Sequence, residues 1–145
     1  MYKHILIPTD GSELSQKALR QGIALAQVFG AGVTALTVSP PFHNLALDPV
    51  MVAATPEQYG KDCEARAEKY LEAARVEAGI AGVPCEIQHV VHDHPFRVIV
   101  DTATAKHCDL IVMASHGRRG MSALLLGSET TKVLTHTKLP VLVCR

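Results

Sequence analysis

Residues 109–128 read DLIVMASHGRRGMSALLLGS and contain an apolar run, a glycine-bearing loop and the start of a helical pattern. The apolar run from Leu110 to Met113 is typical of a strand that is buried on both faces of a parallel sheet. Gly127 and Ser128 precede the helical pattern, which has an acidic residue, Glu129, in its first turn. Between the strand and the helix lie the small residues Ala114, Ser115, Gly117 and Gly120.

This order of elements predicts a loop that binds phosphate. Free backbone N–H groups at the start of a helix attract anions, and residues without bulk let a phosphate approach the backbone. The spacing excludes a P-loop, because that motif has a lysine directly before the hydroxyl residue, and here Gly127 precedes Ser128. Glycine also supplies ordinary turns, so the glycines alone are weak evidence.

Two stretches of the chain closely resemble the universal stress protein family. The first comprises Met113–Gly117, the pair Gly127-Ser128 and the apolar run after Lys138. ATP-binding members carry Gly-x-x-Gly, nine further residues, and then Gly-Ser or Gly-Thr. Gly117 and Gly127 match the second and third glycines, whereas Ala114 stands in place of the first and departs from the pattern. The second stretch, ILIPTDGS at 5–12, resembles the family's first strand and its nucleotide-contacting loop.

Length and composition indicate a single globular domain, 1–145, with a sizeable core. Fourteen basic residues balance fourteen acidic ones, so no overall field favours nucleic acid or an anionic membrane. No apolar run reaches transmembrane length, and Ile5–Ile7 is too short for the core of a signal peptide. We therefore expect a cytoplasmic protein. The four cysteines form no Cys-x-x-Cys pair, and reduced thiols are favoured over a zinc or redox site.

Hydrophobic periodicity predicts strands at 4–7, 33–38, 85–91, 110–113 and 141–144, separated by helices. Such alternation indicates βαβ units, that is, a five-stranded parallel sheet with helices on both faces. The family resemblance implies the strand order 3-2-1-4-5 of the Rossmann-like, adenine nucleotide alpha hydrolase-like folds. Strands one and four then adjoin at the switch point, where open α/β sheets bind ligands.

Helix starts are predicted from capping signals. Ser12 with Glu13 begins the first helix, and Thr55-Pro56-Glu57-Gln58 supplies a capping box for the second. Along the second helix, Tyr59 and Tyr70 are predicted to face the core rather than to stack on a base. The long segment from Pro40 to Thr55 has the length of a functional or mobile loop.

Three histidines, His92, His94 and His116, could have either a functional or a structural role. His92 and His94 flank Asp93 in one turn and could bind a divalent metal, but no distant third ligand is identifiable, so helix capping is favoured. His116 is predicted to have a positional role, because no serine or aspartate partner is readable beside it.

The resemblance implies an ATP-binding, homodimeric module in stress response or signalling. In the loop of Pro8 and Thr9, Asp10 would hold the ribose or the base edge. Val38 would meet adenine through its backbone, and Met113 would pack against the ring. The triphosphate would lie on the amides of the loop, accompanied by Mg²⁺, for which no protein ligand is readable. The loop residues concerned are Ala114, His116, Gly117, Arg118, Gly120, Gly127, Ser128 and Glu129, with Arg119 beside them.

Two other functions stay open on the sequence. An adenylyltransferase or ATP pyrophosphatase would need a His-x-Gly-His or Ser-Gly-Gly-x-Asp-Ser signature. The chain has neither, and Thr9-Asp10-Gly11-Ser12 is only weakly similar to the second. A dimeric signalling module that binds no nucleotide is the alternative that Ala114 leaves open. We expect no catalytic residues, at most slow ATP hydrolysis, and a homodimer formed through the strand at 140–144.

Overall fold

The computed structural model describes residues 1–45, 55–118 and 125–145. The strands are β1 (His4–Pro8), β2 (Gly32–Ser39), β3 (Cys85–Val91), β4 (Leu110–Ala114) and β5 (Val141–Cys144). The helices are α1 (Glu13–Phe29), α2 (Pro56–Ile80), α3 (Pro95–Ala105) and α4 (Ser128–His136). A short 3₁₀ segment, Phe42–Leu45, follows β2.

The five strands form one parallel sheet in the order β3-β2-β1-β4-β5. Central β1 pairs with β2 on one side, where Ile5 lies opposite Val33, and with β4 on the other, where Leu6 lies opposite Ile111. Both the predicted α/β class and the strand order are confirmed. The order reverses between β1 and β4, so the loops that follow these strands meet at the same edge of the sheet.

Side chains alternate between two cores, one on each face of the sheet. Ile5 and Ile7 of β1 pack with α1 and α2, whereas Leu6 packs with α3 and α4. All three side chains are fully buried, and burying a side chain of this size stabilises the fold by about 1.5–3 kcal/mol. Because β1 is packed on both faces, the position of the loop that follows it is well defined.

The predicted helix starts agree with the structure in most respects. Ser12 caps α1 by accepting a hydrogen bond from the Ser15 amide at 3.2 Å. Thr55 caps α2 in the same way, with the Gln58 amide at 3.1 Å. The reciprocal half of the predicted capping box is absent, because the Gln58 side chain donates instead to Asp62 within the helix. Of the segment 40–55, residues 46–54 lie outside the described residues.

All four cysteines are free thiols in the described part of the chain. Burial raises the pKa of Cys108 to about 11, so this side chain is a neutral thiol near pH 7 and a poor nucleophile. Within the ranges given above, none of the helices combines the length and apolarity that crossing a bilayer requires.

Candidate functional site

A cleft of about 630 Å³ opens at the carboxyl ends of β1, β2 and β4. Its walls are the loops after these three strands, one side of α2 and the starts of α3 and α4. The structure brings twelve of the sequence-predicted site residues together here: Pro8, Thr9, Asp10, Val38, Met113, Ala114, His116, Gly117, Arg118, Gly127, Ser128 and Glu129. Gly120, together with Arg119, lies outside the described residues.

Asp10 joins the loops that follow β1 and β4. One carboxylate oxygen accepts the Ser12 amide at 3.0 Å, and the other accepts the Arg118 amide at 2.9 Å. Partial burial works against ionisation, but the hydrogen bonds from Ser12 and Arg118 outweigh it and lower the pKa of Asp10 below its ordinary value of 3.8. Asp10 is therefore a fixed anion that braces the two loops, while the exposed part of its side chain lines the cleft.

The start of α4 is fastened to the end of β4. The Gly127 amide donates to the Ser115 carbonyl at 2.7 Å, and the Thr130 hydroxyl donates to the Ala114 carbonyl at 3.0 Å. In an α-helix the first amides have no carbonyl one turn earlier to accept them, and in α4 these belong to Ser128, Glu129 and Thr130. All three residues line the cleft, so the positive end of α4 faces it.

Gly127 occupies the capping position of α4 with φ −61° and ψ 153°, a conformation that any residue can adopt. The constraint is one of space, because a Cβ at this position would lie 3.1 Å from the His116 Cα and 3.3 Å from the Ser115 carbonyl oxygen. Glycine thus lets the loop after β4 pack directly on the start of α4.

Ala114 ends β4 in the extended conformation and is buried. Its φ is not positive; the non-glycine residue with positive φ in the described part of the chain is His107. An alanine therefore replaces the first motif glycine without backbone strain.

The Glu129 side chain contacts the start of α3. Its Oε2 accepts the Phe96 amide at 2.9 Å, and its Oε1 accepts the Lys132 ammonium at 3.0 Å. The favoured prediction, that the His92–His94 turn caps α3, is wrong in this respect: His94 holds the capping position, but its side chain makes no capping bond. Instead, the Glu129 carboxylate caps α3 by accepting the amide of Phe96, which lies 33 residues earlier in the chain.

The histidine turn is held by other contacts. The His94 amide donates to His92 Nδ1 at 2.9 Å, and Asp93 Oδ1 lies 3.0 Å from His43 Nε2. The ranges that the structure describes contain no group of three or more His, Cys, Asp or Glu side chains placed to hold a metal ion. The geometry therefore gives the metal interpretation no support.

His116 has a partner that sequence reasoning missed. The hydroxyl of the preceding residue, Ser115, lies 3.1 Å from His116 Nδ1. Ser115 is buried at the end of β4, so the hydroxyl fixes the orientation of the imidazole at the cleft. The signal was the adjacency of the two residues in the sequence.

Residues of α2 form a wall of the cleft that the sequence did not predict: Tyr59, Cys63, Arg66, Ala67 and Tyr70. Tyr59 is buried, as expected, and its hydroxyl donates to the Pro40 carbonyl at 2.7 Å. Tyr70 is only half-buried, and its ring lies against Gly11, so the prediction that it faces the core is wrong. The available signal was the helical spacing that places these residues on one face of α2.

The chain belongs to the universal stress protein family, whose sequence model matches residues 1–145. It is 33% identical over 149 aligned residues to the universal stress protein MJ0531 of Methanocaldococcus jannaschii, an alignment that covers 100% of this chain and 83% of the relative. The solved structure of the hypothetical protein MJ0577, from the same organism, has a TM-score of 0.83 and 29% identity over 99% of this chain and 96% of that one.

Two solved structures of the same fold hold adenine nucleotides. A universal stress protein in complex with cAMP has a TM-score of 0.71 and 24% identity, over 98% of this chain and 95% of that chain. The universal stress protein of Archaeoglobus fulgidus in complex with dAMP has a TM-score of 0.72 and 20% identity, over 99% and 98%.

Proposed function

We propose that this universal stress protein binds an adenine nucleotide in the cleft, with ATP accompanied by Mg²⁺ as its ligand. One observation carries the proposal: the first-turn amides of α4, the loop that contains Asp10 and the end of β2 at Val38 converge on one cavity. Backbone amides at a helix start suit a phosphate, and the apolar and backbone surface beside Val38 and Met113 suits a purine ring.

The occupancy of related folds supports the same ligand class. The complexes with cAMP and dAMP both contain an adenine nucleotide. The cleft volume of about 630 Å³ is within the usual range for small-molecule sites. Because the described residues offer no cluster of metal ligands, Mg²⁺ is expected to be held by the phosphates and water.

In this proposal the protein is a binding module of stress response or signalling rather than a dedicated enzyme. It acts in the cytoplasm as a homodimer that pairs through β5. The sheet order supports the dimer, because β5 lies at an edge and its outer backbone groups can pair with another chain.

Two measurements test the binding function. Protein purified without added nucleotide is heat-denatured and the supernatant is chromatographed for released adenine nucleotides. Stripped protein is then titrated calorimetrically with ATP and Mg²⁺, and with sodium tripolyphosphate as a control that lacks the nucleoside. We expect ATP to bind more tightly than tripolyphosphate. The proposal is wrong if no nucleotide is released and ATP produces no saturable heat.

The second candidate is a dimeric signalling module of the same fold that binds no nucleotide. The observation in its favour is Ala114, which replaces the first glycine of the family pattern. Because the structure holds Ala114 in an unstrained extended conformation, we favour nucleotide binding. The titration of the natural protein with ATP separates the two functions.

A further inference from the structure

The side of the cleft formed by α2 carries a positive charge, Arg66, that lies outside the predicted phosphate loop. Arg66 and Tyr70 are four residues apart on α2 and both line the cleft. Residues at this spacing are neighbours on a helix surface. Arg118, from the loop after β4, places its guanidinium carbon 5.1 Å from the Tyr70 ring centroid and also donates to the Tyr70 hydroxyl. We call Arg66, Tyr70 and Arg118 the cationic face.

Neither arginine of the cationic face is neutralised by a carboxylate in the described part of the chain. The ion pairs found there involve other residues. Arg66 donates to the Cys63 sulfur at 3.3 Å, and Arg118 contacts the neutral Tyr70. A guanidinium has five donors, and thiols and phenols are weak acceptors compared with a phosphate. Both groups therefore retain donors for an anion in the cleft.

The Tyr70 ring also lies against Gly11. Gly11 has φ +75°, and a Cβ built on it would overlap the Tyr70 ring. The ring thus fills the space that the missing side chain leaves, and it provides a fixed platform on which the Arg118 guanidinium lies. The Arg118 amide is anchored separately by Asp10 at 2.9 Å, so backbone and side chain of this arginine are both positioned.

The cationic face and the α4 amides approach the cleft from different sides. α2 packs on one face of the sheet and α4 on the other. A ligand with one phosphate presents one anionic group to these two sides of the cleft, whereas a chain of phosphates presents further negative groups to the cationic face.

We propose that Arg66 and Arg118, with Tyr70 as a positioning residue, make the site selective for adenosine oligophosphates over adenosine monophosphate. This inference rests on the proposed nucleotide-binding function. It adds that the site discriminates between ligands by their number of phosphates. Arg66 and Tyr70 belong to α2 and lie outside the glycine loop in which the phosphate contacts were predicted.

Calorimetry with ATP, AMP and sodium tripolyphosphate tests the inference on Arg66→Gln and Arg118→Gln. We expect each variant to weaken ATP and tripolyphosphate at least fivefold and AMP less than twofold. Lys69→Gln is the matched control, because Lys69 is an exposed cation on α2 that does not line the cleft, and it should leave all three affinities unchanged. Melting temperatures confirm that the variants fold.

Tyr70 is tested by the ratio of the ATP and AMP affinities, which general damage to the fold would not change. Tyr70→Ala removes the platform and should lower this ratio at least threefold, whereas Tyr70→Phe keeps the ring and should largely restore it. Equal losses for ATP and AMP in the arginine variants, or no loss at all, would overturn the inference while leaving nucleotide binding intact.

Failure of the proposed function gives a different result. The natural protein would then bind neither ATP nor AMP. If tripolyphosphate still binds and this binding requires both arginines, the inference of an oligophosphate site is supported. If tripolyphosphate does not bind either, the inference about the cationic face is also wrong.

Discussion

Gly117 leaves the space that the Asp10 carboxylate occupies. A Cβ at position 117 would lie 2.6 Å from Asp10 Oδ2, closer than real Cβ contacts occur. The same oxygen accepts the amide of the next residue, Arg118, at 2.9 Å. The second glycine of the motif is thus required by a neighbouring carboxylate, and not by a positive φ.

Gly117→Ala should therefore displace Asp10 and loosen the junction of the two loops. Inserting one methyl into a tight site costs about 1–3 kcal/mol. We expect adenine-nucleotide affinity, measured by calorimetry, to fall at least tenfold. Gly79→Ala is the control, because a Cβ there meets nothing within 4 Å, and it should leave the affinity unchanged. Natural affinity in Gly117→Ala would show that Asp10 has no part in binding.

The pH dependence of stability should reveal the Asp10 carboxylate. Its pKa is lowered in the folded protein, so the stabilisation that it contributes is fully present above the unfolded value near 3.8 and is lost as pH falls through the lower folded value. Asp10→Asn should be less stable than the natural protein at pH 7, and this difference in melting temperature should shrink as pH falls from about 5 to 3.

Asp101→Asn, on the exposed surface of α3, removes a carboxylate of the same kind and serves as the control. The account of Asp10 would be contradicted if the difference between Asp10→Asn and the natural protein stayed constant down to pH 3.

Ala114 and Gly127 should respond differently to substitution. Ala114→Gly removes a buried methyl from an unstrained position, so we expect less than a tenfold change in ATP affinity, or under about 1.4 kcal/mol. Gly127→Val would push against the His116 backbone and should weaken ATP binding far more. Calorimetry on the three proteins decides the matter. If only Ala114→Gly binds ATP, the alanine has switched the site off.

Turnover of ATP should be slow or absent. Hydrolysis requires a group that orients water and charge stabilisation at the γ-phosphate. In the described part of the loop, the candidate base is His116; beside it this part of the loop offers backbone amides, the Arg118 guanidinium and the Ser128 hydroxyl, none of which is a base at neutral pH. Steady-state phosphate release should stay below about 1 per second. Faster release that disappears in His116→Gln would identify a catalytic group.

The oligomeric state should depend on β5. Light scattering of the natural protein at tens of micromolar should give a dimer, and Leu142→Lys should give a monomer, because Leu142 lies on the edge strand and is 40% exposed. Leu134→Lys is the matched control, since Leu134 is 39% exposed on α4. The prediction would be wrong if the natural protein were a monomer, or if Leu142→Lys and Leu134→Lys changed the oligomeric state equally.

The elements of the fold could be predicted from local patterns, because periodicity and capping residues act within a few positions. The bounds of β3 and β5 were predicted residue for residue, and α3 begins at the predicted Pro95. Long-range contacts could not be predicted in this way. The bond from Glu129 to the Phe96 amide joins two helices, and only the packed structure brings them together.

The wall from α2 was missed for a related reason. Helical spacing shows that Tyr59 and Tyr70 share a face, but not that this face extends past the edge of the sheet. Tyr59 meets Phe42 and the core there, while Tyr70, three turns on, meets the loop after β1. Both tyrosines line the cleft, but Tyr59 is buried there whereas Tyr70 is only half-buried.

The Glu129 carboxylate has a consequence for how a ligand would lie. It compensates the positive end of α3 at Phe96, whereas the amides of Ser128 and Glu129 itself keep the positive end of α4 open to the cleft. Glu129 is also the acidic residue in the first turn of α4, but its hydrogen bond goes to the α3 amide, which leaves the first amides of α4 to a ligand. In the proposed complex these amides would draw the phosphate end of the nucleotide toward α4, which would orient the ligand before any base contact forms.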